Sequence, residues 1–147
     1  MEIADSAAKR SKDPSTQHGA CIINPDTKRI VSVGYNGLPR GMDDDGNYKG
    51  VSYWDSVIKY EYALHAEQNA ILNAKEDLRN KVLYLSSEKG YYPCTMCSAM
   101  IAQVEISEVV MKWAIQENTN KYNFELSKHI LSKAGVKIRI LTEQKGS

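Results

Sequence analysis

The sequence predicts an α/β fold, with helices packed on both faces of a mixed sheet in a single domain spanning residues 1–147. Three observations predict it. Two β-branched runs, "GACIINP" (19–25) and "RIVSVGYNG" (29–37), flank Asp26-Thr27-Lys28 and read as a hairpin. Strands and helices then alternate to the C-terminal end, the pattern of layered α/β sandwiches. No linker, repeat or low-complexity tract divides the chain, and its 147 residues suit one domain with a real core.

Each element has its own signal. Residues 2–10 (EIADSAAKR) are helical but cover only about two turns, so the first helix is short or the chain begins late. After the hairpin, "GLPRGMDDDGNYKG" (37–50) is rich in Gly, Pro and Asp and reads as a long loop, a feature that usually carries function or motion. "LHAEQNAILNAKEDL" (64–78) places Leu64, Ala70, Ile71, Ala74 and Leu78 on one helical side. "KVLYLSS" (81–87) and "SEVVMKW" (107–113) are strands, and "CTMCSAMIAQVE" (94–105) is a helix behind Pro93. "NFELSKHILSKAG" (123–135) is a helix stopped at Gly135, before a fifth and last strand, "VKIRILTE" (136–143).

Bulk properties exclude several function classes. At 42% hydrophobic and 25% charged, the chain is globular in composition. Lys plus Arg number 19 against 18 Asp plus Glu, so no basic excess advertises a nucleic-acid or membrane surface. No apolar run reaches the length of a membrane span, and "MEIADSAAKRSKD" has no signal-peptide core. Three cysteines, an odd number, do not make a disulfide scaffold. The reading is a soluble cytoplasmic protein with reduced thiols.

Two of those thiols, in "YYPCTMC" (91–97), raise the functional question. A Cys-x-x-Cys at a helix start suits a redox pair, since the helix dipole lowers a thiol pKa; it equally suits a metal. Pro93 precedes both cysteines, whereas redox pairs usually hold any proline between them. A structural zinc site needs four protein ligands. Cys21 lies in an apolar strand and reads as core, His129 as an ordinary helix residue, and His18 has no partner spacing. His65 differs, because Glu67 follows it at the start of a helix. His65, Cys94 and Cys97 leave one coordination position open, the arrangement of catalytic zinc, and Glu67 is then a proton carrier. H-x-E followed by P-C-x-x-C is the signature of zinc-dependent nucleobase deaminases. Residues His65-Ala66-Glu67 and Pro93-Cys94-Thr95-Met96-Cys97 fit it without a gap.

The likeness extends beyond the metal site. "KRSKDPSTQHGACIINP", "GYNGLPRG", "KYEYALHAEQNAILN" and "PCTMC" resemble, in order and spacing, the deoxycytidylate (dCMP) deaminases of the zinc-dependent cytidine/deoxycytidylate deaminase family. The resemblance runs from about Lys9 to Cys97, with a looser echo in "SEVVM" and "LSKAGVKI". It implies a cytidine-deaminase-like three-layer α/β/α sandwich around a mixed five-stranded sheet. It also implies one catalytic Zn2+ per subunit, conversion of dCMP to dUMP and ammonia for thymidylate synthesis, and commonly a hexamer regulated by dCTP and dTTP.

Carried over by position, His65, Cys94 and Cys97 match the zinc ligands, Glu67 the proton shuttle and Asn36 the asparagine that holds the nucleoside. The "SKDPST" segment from Ser11 to Thr16, with Ser11, Lys12 and Thr16 as its candidate contacts, lies where the family approaches substrate, and Asn69 matches the asparagine after HAE-x. On its own chemistry Asn36 is equally a turn residue beside Gly37. Asp43, Asp44 and Asp45 read either as a solvated loop tip or as a holder of a Mg2+–triphosphate effector. The chain departs from the family at Gln68 and His18, where aliphatic residues are more usual, and in "MKWAIQENTNKYN" (111–123). Alternative readings are a deaminase that also takes dCTP, one acting on a base in tRNA or single-stranded DNA, and a catalytically silent zinc module. Near-zero net charge opposes the nucleic-acid reading, and Glu67 has no use in a silent module.

Overall fold

A computed structural model describes residues 1–115 and 122–142. Helix α1 (Glu2–Ala8) leads into β1 (His18–Ile23) and β2 (Ile30–Tyr35). A short hairpin, β3 (Asn47–Tyr48) and β4 (Val51–Ser52), and a single 3-10 turn (Lys59–Glu61) follow. Then come α2 (Ala66–Asn73), β5 (Val82–Ser87), α3 (Thr95–Gln103), β6 (Glu108–Met111), α4 (Phe124–Lys133) and β7 (Lys137–Ile140). The main sheet has the order β2-β1-β5-β6-β7. Strand β1 is antiparallel to both β2 and β5, whereas β5, β6 and β7 run parallel. The expected mixed five-stranded sheet is therefore present.

Two glycines show the layering. A Cβ on Gly19 would fall 2.1 Å from the Ala4 carbonyl oxygen of α1, and one on Gly34 would fall 2.3 Å from the Ala70 nitrogen of α2. Ala20 pairs with Gly34, so both face α2, while Gly19, one residue earlier, faces the other way. Helices α1 and α2 thus cover opposite faces, each drawn close by a missing side chain. The main core lies on the α2 side, where Ala20, Ile22, Leu83, Leu85, Val109 and Met111 meet Ala66, Ala70, Ile101 and Leu131.

The β1–β2 turn closes as expected, with Asn24 and Arg29 hydrogen-bonded and Lys28 left-handed at φ 63°. Helix α4 ends as expected at Ala134 and Gly135. The predicted strand 136–143 runs from Lys137 to Ile140, and its residue 143 lies outside the described residues. Helix α2 is shorter than the predicted 64–78. Ala74 turns extended at ψ 140°, so Leu78 reaches the core from a loop and not from a fourth helical turn. The unforeseen β3–β4 hairpin begins inside the predicted loop 37–50 and ends just beyond it. Its excursion is pinned at the base, because Gly37 and Leu64 exchange both backbone hydrogen bonds (3.0 and 2.8 Å). That clamp sets β2's end directly against the residue before His65. Among the described residues, no helix is long and apolar enough to cross a membrane.

Candidate active site

Two helix N-termini converge on the signature residues. His65 caps α2 in extended conformation (φ −80°, ψ 158°), and its backbone N–H donates to Gln68 Oε1 at 2.8 Å. Gln68 thereby fixes the backbone of the histidine. Cys94 caps α3, its Sγ accepting the Cys97 N–H at 3.4 Å. Strand β5, in the middle of the sheet, leads into α3 and brings its N-terminus to that of α2. His65 Nδ1 then lies 3.2 Å from Cys97 Sγ and 3.4 Å from Cys94 Sγ.

The donor set fits zinc. All three ligand atoms lie within 4.8 Å of one another. Ordinary bond lengths of about 2.3 Å to sulfur and about 2.1 Å to nitrogen give tetrahedral edges of roughly 3.6–3.8 Å, close to the distances seen. Electrostatics agree. Hydrogen bonding from Cys97 and His65 draws the Cys94 thiol down to about 4 against the effect of burial. Contact with Cys94, burial and the neighbouring Glu67 push Cys97 up. The two thiols are thus drawn in opposite directions, Cys94 toward ionisation and Cys97 away from it, and a metal bound to both would take the place of their protons.

Glu67 is 5% exposed and sits in the first turn of α2, within reach of Cys97. Burial raises its pKa, with His65 opposing. A carboxylate that is not a metal donor, enclosed and shifted toward neutrality, is suited to carrying a proton.

The pocket above this centre is lined in part by Thr16, His18, Asn36, Tyr91, Tyr122 and Phe124. Asn36 is both turn and wall: Oδ1 accepts the His18 N–H at 2.8 Å, while Nδ2 donates to the Thr16 carbonyl at 3.1 Å. Tyr122 and Phe124 stack at 5.6 Å with planes 16° apart, and Tyr91 packs on Phe124 at 5.3 Å. These rings give the pocket an aromatic side, the kind of surface a planar base packs against. It was not anticipated, because Tyr91 lies far along the chain from Tyr122 and Phe124 and only the fold brings them together; residues 116–121 of "MKWAIQENTNKYN" lie outside the described residues.

The other predicted residues lie elsewhere. Ser11 is buried with its hydroxyl donating to the Asn36 carbonyl at 2.8 Å, so it supports the turn beneath the wall. Lys12 lines a neighbouring groove with Arg10, Arg40 and Asp44. Asn69 donates to the Tyr35 carbonyl at 2.7 Å and ties α2 to β2. Asp43, Asp44 and Asp45 are exposed on the loop. Sequence reading placed Asp13 only within the Ser11–Thr16 segment and missed its partner Lys59, with which it forms an ion pair in the pocket wall at 3.1 Å across 46 residues of chain.

Residues 1–113 match the family described as the cytidine and deoxycytidylate deaminase zinc-binding region. The chain belongs to this family. It is 41% identical over 112 residues to a deoxycytidylate deaminase of Mus musculus, covering 75% of this chain and 60% of that protein. A probable deoxycytidylate deaminase of Drosophila melanogaster is 39% identical over 148 residues, covering 95% and 68%. The chain thus spans about 60% of the mammalian relatives' length. Its fold matches that of a dCMP deaminase from the cyanophage S-TIM5 solved with dCMP and dUMP, at TM-score 0.69 and 23% identity, over 95% of this chain and 91% of that one. The cytidine-deaminase-like α/β/α sandwich is therefore the fold of this deaminase-family chain.

His18, in the pocket wall, is expected to make this protein acid-sensitive. Burial, reinforced by His65, lowers its pKa from 6.5 to about 4. The unfolded chain thus binds a proton between pH 6.5 and 4 that the folded chain refuses. Stability is full above about pH 6.5 and falls as pH drops toward 4, by roughly 1–3 kcal/mol from this residue. Urea unfolding of the parent and of His18→Gln at pH 7 and 4.5 checks it. The variant should gain on the parent by that margin at the lower pH, and an equal loss in both removes His18 as the cause.

Proposed function

We propose that this chain catalyses the zinc-dependent hydrolytic deamination of dCMP, with water, to dUMP and ammonia. The observation that carries the reading is the meeting of His65 Nδ1, Cys94 Sγ and Cys97 Sγ beside buried Glu67 at the floor of an aromatic pocket. Similarity to deoxycytidylate deaminases supports the choice of dCMP over other amino-pyrimidines. Zinc, when bound to the three donors, acts as a Lewis acid that makes water nucleophilic at neutral pH.

The chain's own residues do the rest. Glu67 takes the proton of the attacking water and passes it to the ring nitrogen beside the amine-bearing carbon. It then takes the remaining proton from the hydroxyl added to that carbon and delivers it to the amine, so that ammonia departs as the carbonyl forms. Tyr122, stacked on Phe124, gives the base an aromatic neighbour, and Asn36 stands at the wall for the sugar. Three free thiols suit the reducing cytoplasm. Ammonia release from dCMP, dCTP, CMP, deoxycytidine and a tRNA oligomer, measured side by side, tests the reading. Fastest turnover of dCMP is expected, and preference for the oligomer would sink it.

The same reading extends to a regulated hexamer. What supports it is a groove close to Asn36 lined by Asp44 with Arg10, Lys12 and Arg40, a carboxylate and cations of the kind a Mg2+–triphosphate effector needs. An effector that favours one state must bind it more tightly, so Mg2+-dCTP should shift the dCMP saturation curve one way and Mg2+-dTTP the other. Changing Asp43, Asp44 and Asp45 together to Asn should abolish that shift with zinc content and basal turnover intact. Native mass spectrometry reads the subunit number. A parent curve indifferent to both nucleotides leaves these acids as a solvated loop tip.

A further inference from the structure

Asp13 and Lys59 face each other in the pocket wall, with side chains only 6% and 3% exposed. Lys59 Nζ donates to both carboxylate oxygens, at 3.1 and 3.2 Å. The carboxylate is also used elsewhere. Its Oδ1 accepts the backbone N–H groups of Ser15 (2.8 Å) and Thr16 (3.2 Å), and its Oδ2 accepts from Asn36 Nδ2 at 3.4 Å. One side chain thus joins the 11–16 turn, the residue after β2, and the 3-10 turn that leads toward His65.

Stability alone gives little reason for such a pair. Taking two charges out of water costs much of what their attraction returns, and an apolar pair of similar volume often serves as well. Location gives a better reason, because the hydrogen bonds around Asp13 fix groups at the cavity. Both Nδ2 hydrogens of Asn36 are engaged, by Thr16 O and Asp13 Oδ2, while Oδ1 accepts the His18 N–H. A flipped amide would set Nδ2 against the His18 N–H, donor against donor. Held this way, Asn36 has only the remaining lone pair of Oδ1 for a ligand, so it can accept from a hydroxyl but cannot donate.

We propose that the Asp13–Lys59 ion pair is a positioning element of the active site. It holds Asn36 with its acceptor available to a sugar hydroxyl of the nucleotide and keeps Thr16 at the wall. The inference rests on the deaminase reading above. Lys59 anchors the carboxylate and Asp13 orients the asparagine, so the pair acts on nucleotide binding and not on proton transfer.

Steady-state kinetics with dCMP on zinc-loaded protein test this, using the parent, Lys59→Met, Lys59→Arg and the double variant Asp13→Asn/Lys59→Met. Zinc content and Tm are measured on each. Lys59→Met and the double variant should keep zinc and raise KM roughly tenfold or more, with kcat within about threefold, as expected for loss of ground-state binding. Lys59→Arg should recover much of the lost affinity. Where an unpaired carboxylate keeps Lys59→Met from folding, the double variant, which leaves no charge buried, supplies the measurement. A lowered Tm with unchanged KM in folded, zinc-loaded variants makes the pair a structural one and overturns the proposal. A parent that releases no ammonia from dCMP overturns the deaminase reading and this inference with it, whereas an active parent beside variants of normal KM overturns the positioning role alone.

Discussion

Glu67→Gln is expected to bind a full complement of zinc and to lose a factor of about 10²–10⁴ in dCMP turnover. The two halves of that result come from different atoms. The converging donors are His65, Cys94 and Cys97, so replacing Glu67 removes no ligand. Glutamine nearly matches glutamate in volume, so the enclosed first turn of α2 has no cavity to collapse. It cannot take up or release a proton. The rate loss corresponds to about 3–5 kcal/mol of transition-state stabilisation.

A pH signature accompanies the loss. Burial places the Glu67 pKa above that of an ordinary glutamate, and a base must be ionised to act. As pH falls through that raised pKa the carboxylate protonates and the parent's kcat falls. The residual rate of Glu67→Gln should lack this acid limb. Elemental analysis beside a kcat–pH profile reads both parts. A variant with near-normal turnover takes Glu67 out of the mechanism, and one that loses zinc makes it part of the metal site.

The metal centre was legible in the sequence because its parts are local. His65 and Glu67 lie two residues apart and Cys94 and Cys97 three, each pair at the start of a helix, and only their meeting needed the fold. The five strands were legible for a similar reason, since β-branched runs bounded by turn residues announce themselves within a few positions. What could not be read was set by contacts distant in the chain. Leu78 continues the helical period of α2 and is buried as that period predicts, yet it arrives by a loop after Ala74 turns extended. Asp13 and Lys59 each look like an ordinary surface charge in their own neighbourhood. The pinned excursion between Gly37 and Leu64 brings Lys59 back to Asp13, and no local pattern encodes that return. Asn36 shows the intermediate case: a turn asparagine by its neighbours and a pocket wall by its fold, with both roles met by one amide.

Cys97→Ala is expected to lose stoichiometric zinc, all measurable deamination and a large part of its thermal stability. Cys97 is fully buried, and its Sγ meets both the His65 ring at 3.2 Å and the Glu67 side chain. The alanine leaves two donors, too few for a tetrahedral site that must also keep a position open to water. Metal binding is coupled to folding, because the unfolded chain does not hold its donors together, so the lost affinity appears as lost stability. The effect should be global, since the centre ties the N-termini of α2 and α3, the two helices that lie over the main core. Cys94→Ala should behave alike, with the added loss of the α3 cap. Cys21 is the control. It is one residue from Ala20 in β1, so it points to the α1 side of the sheet, away from the α2 side that carries the centre. Cys21→Ala should keep zinc and activity and lose only about 1 kcal/mol of packing. Zinc by elemental analysis and unfolding by circular dichroism, on all three variants, decide between these outcomes. Full zinc in Cys97→Ala, or zinc lost with Cys21, would mean that the third ligand has been assigned to the wrong cysteine.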